Sequence, residues 1–259
     1  MAVIPQWYLD NYSPDRDTEN GSTALPPFTV VIPTLNEAES LLPILHVVRR
    51  MADEVLVVDG NSTDGTEQVA AAAGATVLRD NGMGKGAAVR QGLLAARNEI
   101  VVLMDADGSH DPTEIPRLIG SIVRNEADHV SGSRMIGGSD ELHATVKQSI
   151  RLFGSQVITL VINYSQGVRM TDCQNGFRAI RRSVALDLGL TEDIHTIEQE
   201  MIIKTIRCGY RLCEVPSHEF PRANGDSTFR IRDVWLRFGL TLLYFLFWWS
   251  PAKRSPTTV

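Results

Sequence analysis

The sequence predicts an α/β fold with a mainly parallel central sheet and flanking helices. Short runs of β-branched and apolar residues alternate with helix-length stretches rich in Ala, Leu and Arg, and turn-forming residues separate them. Such alternation is typical of right-handed βαβ units, whose ligands bind at the carboxyl edge of the sheet. The predicted strands are 28–33, 54–60, 75–80, 99–107 and 128–134, and the predicted helices lie near 38–51, 64–73, 85–97 and 112–125.

The chain of 259 residues is long enough for one main domain with an appendage. Residues 1–27 contain four prolines and no sustained periodicity, so we expect a mobile N-terminal arm or a strap over the domain. We expect the main domain to span residues 28–230 and a C-terminal helix with its tail to occupy residues 231–259.

Composition argues against several classes of function. The formal net charge of -6 gives no dominant basic surface for nucleic acid. The three cysteines are too few and too irregularly spaced for a disulfide framework or a structural zinc site. No secretory signal is recognisable at the start of the sequence, which predicts a location on the cytoplasmic side of a membrane.

Polar motifs follow each of the first four predicted strands. They are PTLNE (33–37), DGNSTDGT (59–66), NGMGKG (81–86) and DADGSH (105–110). Because the carboxyl ends of parallel strands lie at one edge of a sheet, we expect these four loops to build a single site.

Asp105 and Asp107 are the candidate metal ligands. They follow an almost purely apolar run, where two carboxylates need a neutralising partner. Mg²⁺ or Mn²⁺ is commonly bound by one or two carboxylates together with waters and substrate phosphates. The alternative is that both aspartates only cap the helix after Pro112; their position after a buried strand favours the metal.

The other loops indicate nucleotide recognition. Asp59 could bind a ribose or a base edge, whereas Asp64 fits a helix cap. The loop containing Lys85 resembles phosphate-binding loops, but it lacks the Gly-x4-Gly-Lys-Ser/Thr spacing of P-loop NTPases. The scattered histidines and the lack of a Gly-x-Ser-x-Gly motif argue against hydrolases.

Residues 145–163 are predicted to form an amphipathic helix. The face opposite the apolar side chains carries Lys147, Arg151 and Ser155. The stretch 143–163 contains no acidic residue. This composition favours binding of an anion over a simple solvated face. The apolar positions of this helix are Val146, Ile150, Phe153, Val157 and Leu160.

The stretch FGLTLLYFLFWW (238–249) has 12 residues without a charge. It is shorter than the ~20 apolar residues that span a bilayer. Arginines precede it and Trp248 and Trp249 end it, a pattern typical of a helix lying on an anionic membrane. Packing of this helix on the domain, or in a homodimer interface, is an equally weighted alternative.

Seven motifs in order resemble the family 2 glycosyltransferases, and among these the dolichyl- or polyprenyl-phosphate mannose and glucose synthases. The resemblance runs from about residue 28 to 230. It implies the Rossmann-like GT-A fold, a nucleoside diphosphate sugar donor such as GDP-mannose or a UDP-hexose, a divalent metal, and inversion at the anomeric carbon. The motifs are VVIPTLNE, VVDGNSTDGT, GKGAAVRQGL, DADGSHDP, GSR, DCQNGFRAI and VPSHEFPRANGDST.

The resemblance also implies roles for individual residues. Asp105 and Asp107 would hold the metal and the diphosphate, and Arg222 would contact the donor phosphates. In the lipid-phosphate branch, Arg134, Arg151 and Ser155 would bind the acceptor phosphate. The nucleoside would be held by Pro33, Leu35, Glu37, Asp59 and Lys85.

The sequence departs from this branch at a few positions. The branch commonly has Gln where this chain has Ser109, a position that can help to coordinate the metal. It commonly has Lys where this chain has Thr228, which leaves Arg230 as a substitute cation. Asp172 could orient the sugar or the basic groups, or cap a turn.

Two other functions remain as alternatives. A family 2 transferase acting on a hydroxyl would need a general base, for which Glu198 or Glu200 is the candidate. An acidic first helical turn explains these two residues without catalysis and is favoured. The third function, a nucleotide-sugar-binding protein or nucleotidyltransferase, is disfavoured because the loop after the first strand is acidic rather than basic and glycine-rich.

Overall fold

The computed structural model describes residues 25–80, 82–140, 146–222 and 231–251. Almost all of the expected N-terminal arm lies outside the described residues, as do Thr228, Arg230 and the C-terminal tail beyond residue 251. The domain boundaries expected from the sequence therefore stay predictions.

Seven strands form one sheet in the order β3-β2-β1-β4-β6-β5-β7. All pairings are parallel except those of β6, which runs antiparallel to both β4 and β5. The mainly parallel α/β fold expected from the sequence is confirmed. The strands are β1 (Phe28–Thr34), β2 (Glu54–Asp59), β3 (Thr76–Arg79), β4 (Ile100–Leu103), β5 (His129–Ser133), β6 (Arg178–Arg181) and β7 (Leu212–Pro216).

Helices cover both faces of the sheet. Successive side chains of a strand point to opposite faces, and β1 shows this alternation: Val30 and Ile32 pack with one set of helices and Val31 with the other. The α-helices of the described residues are α1 (Ala38–Met51), α2 (Thr66–Ala72), α3 (Lys85–Ala95), α4 (Ile115–Val123), α5 (Arg134–Gly137), α6 (Val146–Gln166), α7 (Arg182–Asp187), α8 (Ile197–Arg207) and α9 (Ile231–Phe247), and a short 3₁₀ helix spans Pro112–Glu114.

The helices α6, α8 and α9 pack together around a separate apolar cluster. Ile162 of α6, Ile202 of α8 and Phe245 of α9 are all buried in it. Three of the apolar positions predicted for α6 are exposed instead of buried: Phe153 at 68%, Val157 at 39% and Leu160 at 67%. The reason is that α6 packs on α8 and α9 through a different face of the helix, which carries Ile158 and Ile162.

Two basic side chains of α8, Arg207 and Lys204, contact the C-terminal end of α9. Arg207 donates hydrogen bonds to the carbonyl oxygens of Phe245 at 2.7 Å, Leu246 at 2.8 Å and Trp249 at 2.7 Å. The Lys204 ammonium lies 5.4 Å from the ring centroid of Phe245, within the range of a cation–π contact. Among the described residues, no helix is long and apolar enough to cross a bilayer.

Candidate active site

Asp105 and Asp107 lie where the chain leaves the buried strand β4 at the carboxyl edge of the sheet. Asp107 Oδ1 accepts hydrogen bonds from the amide and the hydroxyl of Ser109, at 3.1 and 2.6 Å. Its Oδ2 lies 3.2 Å from Arg222 Nε. Ser109 therefore orients Asp107, and the second carboxylate oxygen faces the guanidinium of Arg222.

Asp105 belongs to a buried group of three charges. The Lys85 ammonium, at the start of α3, lies 2.6 Å from Asp105 Oδ1 and 2.8 Å from Glu198 Oε1 in the first turn of α8. Burial alone would lower the pKa of Lys85, but the two carboxylates outweigh it and raise this pKa above its usual value. Lys85 therefore stays protonated, and it faces carboxylates here rather than an open nucleoside pocket.

The pair of aspartates fits a divalent cation by the chemistry of its donors. Carboxylate oxygens are the hard ligands that Mg²⁺ and Mn²⁺ prefer. In the part of the chain that the structure describes, no three His, Cys, Asp or Glu side chains converge on one point. A cation held by Asp105 and Asp107 would therefore take its remaining ligands from substrate phosphates and water.

The first two loops of the sheet edge are held together by hydrogen bonds. Asp59 is buried and accepts from the amide and the hydroxyl of Ser62, at 2.9 and 2.6 Å. The Glu37 amide donates to the Thr66 hydroxyl at 2.9 Å, which joins the loop after β1 to the helix after β2. The side chain of Leu35 is exposed above this junction.

The electrostatic surroundings of Glu37 place it beside the aspartates. Burial raises the pKa of Glu37 above its usual value; a hydrogen bond from Ser40 opposes the shift, and the negative charges of Asp107 and Asp105 add to it. The structure thus brings four of the five residues predicted to hold the nucleoside to the edge that carries Arg222. Pro33, the fifth, lines a small cavity together with Lys85 and Asp105.

Arg134, predicted to bind the acceptor phosphate, is already engaged by two carboxylates. It contacts Asp172 at 2.6 Å and Glu219 at 2.9 Å. Together these charges outweigh that of the guanidinium. Asp172 thus orients a basic group, one of the three roles expected from the sequence, and its Oδ1 also accepts from the amide of Gln174 at 3.1 Å, as a turn cap does.

Ser155 on α6 has a buried hydroxyl oxygen without a hydrogen-bond partner among the described residues. Its helix neighbours Gln156 and Thr159 bind the segment 171–173: Gln156 donates to the carbonyl of Thr171 at 3.4 Å and Thr159 accepts from the amide of Cys173 at 3.2 Å. Ser155 therefore lies beside the segment that contains Asp172. The side chain of Arg151 lies outside what the structure describes.

The structure gives Glu200 a structural role in place of the catalytic one considered from the sequence. The residue is fully buried, and Lys204 contacts it at 2.6 Å. Its two carboxylate oxygens also accept from the backbone amides of Thr191 and Glu192, each at 2.8 Å. Glu200 thus holds the loop before α8 instead of facing a substrate.

Sequence reasoning missed two participants in this region. Glu219, within the motif VPSHEFPRANGDST, contacts Arg134 across more than 80 residues of chain. His195 lies near Lys85, Glu198 and Asp105, and burial, reinforced by the charge of Lys85, lowers its pKa to about 4. This imidazole is neutral at pH 7. Neither residue has a local spacing that would reveal its partner.

Several known proteins are similar to this chain. The family described as Glycosyl transferase family 2 matches residues 29–189. The glycosyltransferase AglJ of Haloferax volcanii is 32% identical over 207 residues, covering 77% of this chain and 65% of AglJ. The undecaprenyl-phosphate mannosyltransferase of Micrococcus luteus is 34% identical over 212 residues, covering 76% of this chain and 85% of that protein.

A solved structure shares the fold. Glucosyl-3-phosphoglycerate synthase from Mycobacterium tuberculosis, in complex with Mn²⁺, uridine diphosphate and glucosyl-3-phosphoglycerate, superposes with a TM-score of 0.67 at 23% identity. The match covers 85% of this chain and 80% of the synthase. The fold is therefore a GT-A fold. This chain belongs to glycosyl transferase family 2.

Proposed function

We propose that the enzyme transfers a hexose, mannose or glucose, from a nucleoside diphosphate sugar to a polyprenyl or dolichyl phosphate with inversion. The observation that carries this proposal is the edge on which Asp105, Asp107 and Arg222 converge, together with the buried hydroxyl of Ser155 on α6, which has no partner among the described residues. These two features fit two anionic substrates. The name of the mannosyltransferase from Micrococcus luteus supports a polyprenyl phosphate as the second substrate.

Asp105 and Asp107 would hold Mg²⁺ or Mn²⁺, which would neutralise the negative charge that develops on the leaving diphosphate. Arg222, 3.2 Å from Asp107, would contact the same phosphates. The nucleoside of GDP-mannose or a UDP-hexose would lie on the loops that contain Leu35, Glu37 and Asp59. Because Lys85 pairs with two carboxylates, its proposed part in donor binding is indirect.

A phosphate acceptor would remove the need for a general base. A phosphate monoester is already an anion at pH 7 and only needs alignment with the anomeric carbon. Glu198 and Glu200, the two candidate bases, are each paired with a lysine. Since Arg134 is also neutralised, we assign the main positive charge for the acceptor to Arg151, one helical turn before Ser155.

The exposed apolar surface supports membrane association of the enzyme. Of 17 large hydrophobic side chains exposed in the described residues, ten lie on α6 or α9 or just after α9. The stretches 152–166 and 238–252 contain no charged residue, and Lys and Arg predominate just before and after them. This pattern fits an anionic bilayer, and we place the enzyme at the cytoplasmic face. The ten are Phe153, Val157, Leu160, Tyr164, Leu236, Leu240, Leu243, Tyr244, Phe247 and Trp248.

The experiment is a transfer assay with purified protein, Mn²⁺ or Mg²⁺ and a short polyprenyl phosphate. GDP-mannose, UDP-glucose, UDP-GlcNAc and UDP-galactose are each supplied as donor, and products are identified by mass spectrometry. We expect one lipid-linked hexose, from GDP-mannose or UDP-glucose. Donor hydrolysis without a glycolipid would contradict the lipid phosphate acceptor and favour a hydroxyl acceptor.

A further inference from the structure

The Lys85 ammonium occupies the position from which it competes with a cation for Asp105. It lies 2.6 Å from Asp105 Oδ1, and the side chain of Lys85 is only 14% exposed. A divalent cation on the same carboxylate would repel the ammonium at close range in a poorly solvated setting. Lys85 therefore needs a second partner before Asp105 can act as a metal ligand.

Glu198 has the free capacity to be that partner. Its Oε1 already lies 2.8 Å from Lys85 Nζ, whereas its buried Oε2 has no hydrogen-bond partner among the described residues. A buried carboxylate oxygen without a donor is costly, so it favours any donor that reaches it. An ammonium group has three N–H donors and can bind both oxygens of one carboxylate.

The surroundings leave room for a shift of Lys85 but offer Glu198 no other cation. A small cavity borders Lys85, Asp105 and Glu198 and is otherwise lined mostly by apolar side chains. The neighbouring Arg178 directs its nitrogens to backbone carbonyls, including that of Glu198 at 3.0 Å, instead of the carboxylate. Within the described residues, Lys85 is thus the cation that pairs with this carboxylate.

We propose that Glu198 is a positioning residue whose second carboxylate oxygen takes the Lys85 ammonium when a divalent cation binds Asp105. The inference rests on the proposed function, because the cation is the one proposed there. Glu198 would act on metal affinity through Lys85, without touching the substrates. The sequence alone explains Glu198 as an acidic residue that suits the helix dipole in the first turn of α8. The proposal gives this residue a specific role.

The test is a double-mutant cycle read out by Mn²⁺ binding. Mn²⁺ is titrated by electron paramagnetic resonance in the presence of GDP or of UDP, using the native protein, Glu198→Gln, Lys85→Met and the double variant. Thermal melting establishes that each variant is folded. We expect Glu198→Gln to weaken Mn²⁺ binding about tenfold in the native background and less than about threefold in the Lys85→Met background.

Other outcomes would overturn the inference. Native Mn²⁺ affinity in Glu198→Gln would do so, and so would a loss that persists in Lys85→Met, because Glu198 would then act through its own charge. Lys85→Gln gives a second background should Lys85→Met not fold. Absence of Mn²⁺ binding by the native protein with either nucleotide would refute the proposed function itself, so the two failures are distinguishable.

Discussion

Arg134 binds both carboxylate oxygens of Asp172, through Nε at 2.6 Å and Nη2 at 3.1 Å. The Asp172 side chain is 1% exposed, and Coulomb attraction to Arg134 opposes the effect of burial and lowers the pKa of Asp172. We expect Asp172→Asn to reduce the free energy of unfolding by about 3 kcal/mol, because it leaves a buried cation with less compensating charge. Urea unfolding at pH 7 measures this change.

An exposed ion pair provides the control for that prediction. Glu67 contacts Arg79 at 2.6 Å on the protein surface. Glu67→Gln is expected to change the unfolding free energy far less than Asp172→Asn, since solvent screens exposed pairs. If both variants changed the unfolding free energy equally, burial of the Asp172–Arg134 pair would add nothing to its contribution to stability.

Asp107→Asn should reduce metal-dependent hexose transfer by roughly a hundredfold or more, because the oxygen facing Arg222 loses its charge. Asp111→Asn, in the same loop, is the control. Asp111 accepts from the Thr113 amide at 2.8 Å and caps the 3₁₀ helix, so this variant should retain transfer. The measurement is the initial rate of hexose transfer by each variant at saturating Mn²⁺, with circular dichroism to check folding. If Asp107→Asn were active, Asp107 would not belong to the metal site.

Leu160→Glu should weaken binding to anionic phospholipid vesicles without destabilising the fold, because Leu160 is 67% exposed on α6. Leu94→Glu is the matched control, since Leu94 is almost equally exposed, at 66%, but lies at the end of α3. Vesicle co-sedimentation should show a loss for the first variant only. If Leu160→Glu instead turned a dimer into a monomer in sedimentation velocity and left vesicle binding unchanged, the apolar surface would be an interface between two copies.

Asp128 should make the unfolding free energy depend on pH in the acid range. The hydrogen bond from Arg211 lowers the pKa of Asp128 to about 2, below the value of about 3.9 in an unfolded chain. Its contribution is therefore complete above about pH 5 and is lost as the pH falls toward 2. The difference between the urea midpoints of the native protein and Asp128→Asn should be largest near pH 7 and shrink as the pH falls from about 5 through 2; a constant difference would contradict the assignment.

Much of the fold follows from local sequence patterns. The apolar runs ending in DG and DADG predict β2 and β4 to within a few residues, because strands buried on both faces need continuous apolar sequence. The edge on which the loops meet follows from parallel topology alone. The antiparallel strand β6 between β4 and β5 does not, since the short segment RAIR carries no signal of its direction or neighbours.

The sequence predicts site residues only where the residues that act together are also close together in the sequence. Asp105 and Asp107 are recognisable by their spacing after a strand. The partners of Lys85 and Arg134 are not, because Glu198 and Glu219 approach them through tertiary packing. Helix α6 shows the same limit: periodicity identifies an apolar face, but which face is buried depends on the neighbouring α8 and α9.

The helix α8 is fixed at both ends. Glu198 in its first turn contacts Lys85, and Arg207 at its last residue binds the end of α9. Eleven helical residues span about 16 Å. In the proposed membrane-bound state, α8 would separate α9 from the Lys85 contact by the length of its eleven residues, so a change in that number would move the proposed transfer site relative to the lipid surface.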